Sequence, residues 1–252
     1  FTFISHDLKT PLTLILSPLQ RLIQQPQISN NDKEKLEVIY RNANRMNYLI
    51  NELLTFSKIE MKQMRISVRK GDIMHFLEEL SHIFDIVAGE REIDFIVNLE
   101  DTEEEVWFSP SKLERILYNL LSNAFKYTQP GGYVKLSAKL IKEEKETFVQ
   151  ISVKDNGRGI PKEAQEQIFE SYYQVEKRDH REGFGLGLSL TRSLIHMHKG
   201  EIRVESEINK GSDFIVTLNV SEDAYNPDER SSENITTEEI QKYNQRIKET
   251  IE

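Results

Sequence analysis

Hydrophobic residues recur at alternating steps of three and four along the first quarter of the chain. The first run covers residues 1–24, at Ile4, Leu8, Leu12, Ile15, Leu19 and Leu22. The second run follows a loop at residues 25–31, at Leu36, Ile39, Ala43, Met46, Ile50, Leu53 and Phe56. These steps predict two amphipathic helices joined as a hairpin. Because one hairpin cannot bury its apolar stripe alone, we expect two copies to form a four-helix bundle, and therefore a homodimer.

Beyond Met64 the pattern changes to two-residue alternation interrupted by helical spacing. Alternation predicts strands at residues 65–68, 93–97, 134–140, 149–153, 202–204 and 214–218. Helical spacing predicts one helix capped by Asp72 over residues 73–87, a second that opens at Ser109-Pro110, and a third over residues 186–198. Strands and helices that do not alternate regularly predict an α+β sandwich.

The last part of the chain is polar and acidic. It contains Asn226-Pro227, which favours a loop, so residues 222–252 are interpreted as a linker or tail. Residues 237–251 have the composition of a solvated helix. The predicted organisation is a helical hairpin at 1–62, an α/β sandwich domain at 63–221 and an acidic tail at 222–252.

Composition and charge exclude several classes of function. The chain has 252 residues and a formal net charge of −9, which argues against a nucleic-acid surface, since such surfaces cluster Lys and Arg. It contains no cysteine, which excludes disulfides, thiolate zinc sites and cysteine nucleophiles. No apolar run approaches the roughly 20 residues that span a bilayer. Because the chain starts without Met inside a predicted helix, we expect a fragment, with any membrane attachment in segments outside it.

A histidine with polar neighbours lies on the first predicted helix, in Ser5-His6-Asp7-Leu8-Lys9-Thr10-Pro11. A neutral imidazole is a competent nucleophile, and Asp7 can hold one ring nitrogen in its N–H form while the other attacks. Thr10 follows His6 by one helical turn, where its hydroxyl can position a water molecule. An ordinary surface histidine is the alternative, although Pro11 is unusual inside such a helix.

Two amides share one face of the helix that opens at Pro110. Asn119 and Asn123 are four residues apart, and Lys126 and Tyr127 follow them. Amide oxygens suit Mg²⁺, which commonly bridges nucleotide phosphates. Lys126 adds a positive charge and Tyr127 an aromatic wall. A solvated polar helix face is the alternative interpretation.

Two glycine-containing segments flank predicted strands and helices. In Asp155-Asn156-Gly157-Arg158-Gly159-Ile160, the carboxylate at a strand end can accept a hydrogen bond from an adenine amino group, and the glycines allow close approach. Gly183-Phe184-Gly185-Leu186-Gly187 opens a helix, where successive backbone N–H groups can bind phosphate. A tight turn explains the first segment equally well, and a lone glycine-rich loop is weak support for a phosphate site.

Together these segments resemble the sequence boxes of sensor histidine kinases. SHDLKTPLT is similar to their H-box, NLLSNAFKYT to the N-box, DNGRGI to the first glycine box, IFESYY to the F-box and GFGLGL to the second glycine box. The resemblance covers residues 1–220 and implies a dimerisation and histidine-phosphotransfer hairpin followed by a Bergerat-type domain that binds ATP with Mg²⁺. It also implies transfer to an aspartate of a response-regulator receiver domain, and a cytoplasmic location within an inner-membrane sensor protein.

The resemblance implies roles for individual residues. His6 would accept the γ-phosphoryl group with the assistance of Asp7, and Thr10 matches the position linked to phosphatase activity towards the partner. Asn123, with Asn119, would serve Mg²⁺. The other nucleotide-site residues would be Lys126, Tyr127, Asp155, Gly157, Gly159, Ile160, Phe169, Gly183, Gly185, Leu186 and Gly187.

Three positions depart from the family pattern. Tyr172 replaces a common Phe, Ser109 replaces a common Asp, and Gln174 lies where many members carry Arg in the lid. The candidate replacements for that lid cation are Lys177, Arg178 and Arg181. The polar tail is compatible with a fused receiver domain, as in a hybrid kinase.

Two other functions are compatible with part of the pattern. A Bergerat-type ATPase or clamp needs no phosphorylatable histidine, so the H-box on a dimerising hairpin argues against it. A non-catalytic scaffold has no use for Asn123, Asp155 and the glycine loops. Autophosphorylation of His6 from ATP is the function that uses every motif.

Overall fold

Two helical segments open the described part of the chain, as the spacing predicts. The computed structural model describes residues 14–251 except for 20, 24, 26, 27, 62 and 175–184. Residues 14–19 and 21–23 are helical, and helix α1 spans Asn30–Glu60. The Ser29 hydroxyl accepts a hydrogen bond from the Asp32 backbone N–H at 3.2 Å, so this helix begins inside the predicted loop. None of the described helices is long and apolar enough to cross a membrane.

Much of the apolar stripe on these helices is exposed in the single chain. The exposed members are Ile15, Leu22, Ile39, Met46 and Leu53, and the neighbouring Leu14 and Val38 are exposed as well. A contiguous apolar stripe of this kind is typical of a surface that packs against another helix.

The sandwich domain is built on a five-stranded mixed sheet and a short two-stranded sheet. Its strands are β1 (Arg69–Asp72), β2 (Asp94–Leu99), β3 (Glu105–Phe108), β4 (Tyr133–Lys142), β5 (Thr147–Asp155), β6 (Glu201–Glu207) and β7 (Gly211–Asn219). The large sheet has the order β2-β4-β5-β7-β6, with β2 parallel to β4 and the other pairs antiparallel. β1 pairs with β3. The predicted α+β class is confirmed.

Helices pack on the apolar face of the large sheet, and one predicted helix is divided in two. The helices are α2 (Ile73–Ser81), α3 (Ile83–Arg91), α4 (Pro110–Tyr127) and α5 (Gly187–Met197). Asp72 caps α2 as predicted, since its carboxylate accepts the His75 backbone N–H at 2.9 Å. The prediction of one helix over residues 73–87 is wrong, because the helix breaks at His82. The Ser81 hydroxyl donates to the Glu78 carbonyl at 2.7 Å, and bonds of this type bend helices.

The predicted strand at residues 65–68 is also wrong. Only Val68 forms an isolated bridge, with Arg230, and the strand begins at Arg69. Ile66 and Val68 are nevertheless buried, where they pack with Tyr225 in a small second core. Their alternation therefore reflects burial on one side of an extended segment, which a strand shares.

The helix of the acidic tail packs against the domain, so the expectation that this helix is solvated is wrong. Helix α6 (Thr237–Ile251) lies at the predicted position, but Ile240, Tyr243 and Ile247 are buried in the main core. The sequence suggested a solvated helix because these three apolar residues are separated by polar and charged ones.

The tail also pairs with the segment that leads from the hairpin into β1. The Val68 backbone N–H donates to the Glu229 carbonyl at 2.8 Å, and the Ser231 N–H donates to the Val68 carbonyl at 2.9 Å. The Arg69 guanidinium donates two hydrogen bonds to the Glu239 carboxylate, at 2.7 and 2.6 Å. The tail therefore fixes the entry to the sandwich domain.

A buried histidine joins α5 to the start of α4. His198 is fully buried, its Nε2 accepts the Ser109 backbone N–H at 3.2 Å, and its Nδ1 donates to the Leu194 carbonyl at 2.9 Å. An acceptor Nε2 requires a neutral ring. Burial lowers the pKa of His198 to about 4, and the charge of Lys112 acts in the same direction.

We expect the protein to lose stability as the pH is lowered from about 6.5 to about 4. In this window the unfolded chain binds a proton at His198 that the folded chain does not, so the fold loses on the order of 3 kcal/mol by pH 4. Urea unfolding at a series of pH values should show a flatter pH dependence in His198→Gln. The same change at the exposed His196 should leave the dependence unaltered, and equal slopes in His198→Gln and the unaltered chain would contradict this prediction.

Candidate nucleotide-binding site

The predicted site residues of the sandwich domain meet where β5 ends, beside the last turns of α4 and the start of α5. Asn119 on α4 donates a hydrogen bond from Nδ2 to Thr191 Oγ1 on α5 at 2.7 Å. The backbone of Gly157, after β5, lies against the carbonyl of Tyr127 at the end of α4. His6, Asp7, Thr10 and Gly183 lie outside the described residues, so their roles stay predictions.

Asp155 is the buried acid of this site. Only 4% of it is exposed, and its Oδ1 accepts the Gly157 backbone N–H at 2.8 Å. Burial raises the pKa of Asp155, while the backbone hydrogen bonds from Gly157 and Ser212 oppose that rise. A buried acceptor at a strand end, held by its own loop, is suited to bind the amino group of a base.

The loop after Asp155 is held tightly on both sides. A methyl group built on Gly157 would lie 2.3 Å from the Tyr127 carbonyl oxygen, so a larger residue does not fit there. Gly159 has a φ of +70°, which favours glycine, and its added methyl would lie 2.0 Å from the Glu207 carbonyl oxygen. The Ile160 backbone N–H donates to Ser206 Oγ at 2.8 Å.

Two cations lie on the ring of Tyr127. The Lys126 Nζ is 4.8 Å from the ring centroid, and the guanidinium carbon of Arg158 is 4.3 Å from it. Both distances fall within the range of cation–π contacts. Arg158 belongs to the motif quoted from the sequence but was not assigned a role there.

The two amides of α4 occupy different environments. Asn119 is buried, and a methyl group built on Gly187 would lie 2.5 Å from its Oδ1, so Asn119 holds the start of α5 against α4. Asn123, one turn later, is half-buried. Sequence reasoning missed Thr191, the hydrogen-bond partner of Asn119, although it follows the glycine loop by one turn.

The F-box and the second glycine box are joined by their backbones. The Tyr172 N–H donates to the Gly185 carbonyl at 2.9 Å. Phe169 is buried, with its ring edge-on to Phe214 at a centroid distance of 6.4 Å, and Leu186 is buried as well. These contacts hold Phe169, Tyr172, Gly185 and Leu186 in fixed positions at the edge of the domain.

The helical hairpin contacts the sandwich domain next to this site. The Phe56 ring lies edge-on to Tyr172 at a centroid distance of 6.3 Å. The Arg115 Nη1 on α4 donates to Thr55 Oγ1 on α1 at 2.7 Å. The sequence offered no signal for either contact, because both join segments more than fifty residues apart.

The described residues contain no group of three or more His, Asp or Glu side chains that could hold a metal ion. An amide oxygen such as that of Asn123 can supply one ligand to a divalent cation, with water and phosphate oxygens completing its shell. The half-buried Asn123 fits that requirement better than the buried, hydrogen-bonded Asn119.

Two protein-family models match separate parts of the chain. Residues 1–62 match the model described as "His Kinase A (phospho-acceptor) domain". Residues 108–222 match the model described as "Histidine kinase-, DNA gyrase B-, and HSP90-like ATPase". The first match contains His6, and the second extends from Phe108, the last residue of β3, to just beyond the end of β7.

Similar curated proteins are named as histidine kinases. Histidine kinase P4 of Formosa agariphila is 37% identical, over 86% of this chain and 16% of its own length. Hybrid signal transduction histidine kinase D of Dictyostelium discoideum is 32% identical, over 86% of this chain and 14% of its length. Autoinducer 2 sensor kinase/phosphatase LuxQ of Vibrio vulnificus is 34% identical, over 86% of this chain and 26% of its own length. The chain thus spans about a quarter or less of these relatives.

Solved histidine kinase structures share the fold. Full-length ShkA in complex with AMPPNP superposes with a TM-score of 0.74 at 24% identity, over 87% of this chain and 45% of that one. The catalytic domain of histidine kinase ThkA has a TM-score of 0.54 at 25% identity, over 62% of this chain and 99% of that one.

Proposed function

The chain belongs to the histidine kinase family, and we propose that it is a protein-histidine kinase that transfers the γ-phosphoryl group of ATP to His6. The observation that carries this proposal is the buried Asp155 carboxylate at the end of β5, whose loop packs against Tyr127 at the end of α4. The match of residues 1–62 to a phospho-acceptor domain favours a kinase over an ATP-driven clamp, which has no use for such a hairpin.

ATP would lie along the last turns of α4. Asp155 would accept the adenine amino group, Tyr127 would contact the ribose region, and Lys126 would face the phosphates. Mg²⁺, when bound, would neutralise charge on the phosphates, and Asn123 is the residue that would hold it. Asn119 would act indirectly, by fixing α5 and its glycine loop against α4.

The transfer forms a nitrogen–phosphorus bond at the His6 imidazole and breaks the bond from the γ-phosphorus to the β,γ-bridging oxygen, so that ADP leaves. Asp7 would hold the N–H of the other ring nitrogen and stabilise the positive charge that develops on the ring. The protein contributes positioning and charge, which are the main requirements of phosphoryl transfer.

A second transfer would move the phosphoryl group from His6 to an aspartate of a response-regulator receiver domain, separate or fused. Dephosphorylation of that partner would use a water molecule positioned by Thr10, and the name of the LuxQ relative is consistent with both activities in one protein. By resemblance, we place the domain on the cytoplasmic side of an inner-membrane sensor.

We propose a homodimer in which the exposed apolar stripe of the hairpin is covered by a second copy. The residues that carry this proposal include Ile39 and Met46, of which 50% and 54% are exposed in the single chain. Complete burial of a fully exposed side chain of this size contributes roughly 1.5–3 kcal/mol, and because half of each side chain is already covered, a second copy would add roughly half of that for each.

Incubation with γ-labelled ATP and Mg²⁺ should give acid-labile label in the unaltered chain and none in His6→Ala or Asn123→Ala. Matched changes at other positions, His196→Ala and Asn98→Ala, should leave labelling intact. Label that persists in His6→Ala would show that the acceptor is wrong.

Mixing His6→Ala with Asn123→Ala extends this test to the dimer. Restored label would show that one protomer phosphorylates its partner. If an affinity tag on one variant co-purifies the other, so that mixed dimers are present, the absence of label would show transfer within a protomer. A monomeric mass for the unaltered chain would contradict the dimer.

A further inference from the structure

Arg158 is an exposed cation in the loop that follows the acid of the nucleotide site, three residues after Asp155. Its guanidinium carbon lies 4.3 Å from the centroid of the Tyr127 ring, and the Lys126 Nζ lies 4.8 Å from the same centroid. Tyr127 thus holds two positive charges next to the site.

The backbone of Arg158 is fixed from both sides. Its N–H donates to the Tyr127 carbonyl at 3.4 Å, and its carbonyl accepts the Asn209 N–H at 2.8 Å. The glycines on either side are packed against other backbone atoms, so neither neighbour has room for a side chain. Between Gly157 and Gly159 the loop therefore carries one side chain, that of Arg158, on a backbone fixed by hydrogen bonds and close packing.

The charge arrangement indicates an anionic ligand. The chain has a net charge of −9, yet two cations share one aromatic ring at this point. Positive charge is therefore concentrated beside the nucleotide site, and a local positive potential favours an anion there. Gln174, the last described residue before Gly185, has an uncharged side chain.

We propose that Arg158 is a phosphate-contacting residue of the nucleotide site and acts together with Lys126 on the polyphosphate. A guanidinium donates two parallel hydrogen bonds to phosphate oxygens, and stacking on Tyr127 orients it for that contact before the nucleotide arrives. The inference rests on the proposed function, because it assumes that the nucleotide lies between Asp155 and α4.

The test is calorimetric titration of the full chain with ATP, ADP and adenosine in the presence of Mg²⁺. We expect Arg158→Gln to weaken ATP binding by roughly ten- to a hundredfold, the range for lost charge-assisted hydrogen bonds. The loss should be smaller for ADP and absent for adenosine. Arg158→Lys keeps the charge without the paired donors, so it should restore part of the affinity.

Lys139→Gln on β4 removes the same charge from an exposed position and serves as the control, with no change in ATP binding expected. Equal weakening for adenosine and ATP in Arg158→Gln would overturn the proposal in favour of a contact to the base or ribose. Unchanged ATP binding in Arg158→Gln would overturn it outright. If the unaltered chain fails to bind ATP, the proposed function itself is wrong.

Discussion

Replacing Asp155 with asparagine is expected to weaken ATP binding by roughly a hundredfold or more. Asparagine keeps the size of the side chain and an oxygen that can accept the Gly157 N–H, the contact that Oδ1 makes at 2.8 Å. The second atom of the head group becomes an amide NH₂, which places a donor against the donor of the adenine amino group. A lost hydrogen bond together with an unpaired buried donor accounts for roughly 3 kcal/mol, which is about a hundredfold in affinity.

The base itself supplies the control for Asp155→Asn. Inosine triphosphate carries an oxygen acceptor in place of the adenine amino group, so the new amide can donate to it. We expect the ratio of ATP to inosine triphosphate affinity to fall in Asp155→Asn. Equal ATP affinity in Asp155→Asn and the unaltered chain would show that Asp155 does not contact the base.

The sequence predicted the parts of this site that lie along one element or one short loop. Asn119, Asn123 and Tyr127 share α4, whose start at Pro110 follows from helix-capping rules. Asp155 ends a strand whose alternation is clear. What could not be predicted is contact between elements: Thr191 with Asn119, and Arg158 with the Tyr127 ring, depend on how α5 and the loop pack against α4.

The same limit explains the errors at the domain edges. Residues 65–68 show the alternation of a strand, but Val68 pairs only with the tail, at Arg230. The tail itself is mostly polar, and burial of a helix with three well-spaced apolar residues depends on a partner surface that its own sequence does not show. Composition identified the tail as acidic and was uninformative about whether it packs.

Replacing Tyr243 with alanine is expected to destabilise the sandwich domain by roughly 3–5 kcal/mol, the range for removing a buried aromatic ring. Only 8% of Tyr243 is exposed, and its ring lies edge-on to Phe76 at 5.9 Å. Phe76 in turn contacts Phe108 at 5.3 Å, so the cavity would open in the main core. If the tail were a solvated linker, the same substitution would cost almost nothing.

Urea unfolding followed by the fluorescence of Trp107, the only tryptophan in the sequence, measures this effect. Trp107 reports on the region where the tail packs, because it lies against the small core of Ile66, Val68 and Tyr225. Tyr243→Phe should retain most of the stability, since it keeps the ring, and Gln241→Ala on the exposed side of α6 should be neutral. A midpoint for Tyr243→Ala equal to that of Gln241→Ala would show that α6 does not pack on the core. A lower midpoint confined to Tyr243→Ala would make residues 222–251 part of the folded domain. The Tyr243 ring can contribute to the free energy of unfolding only if α6 packs on α2.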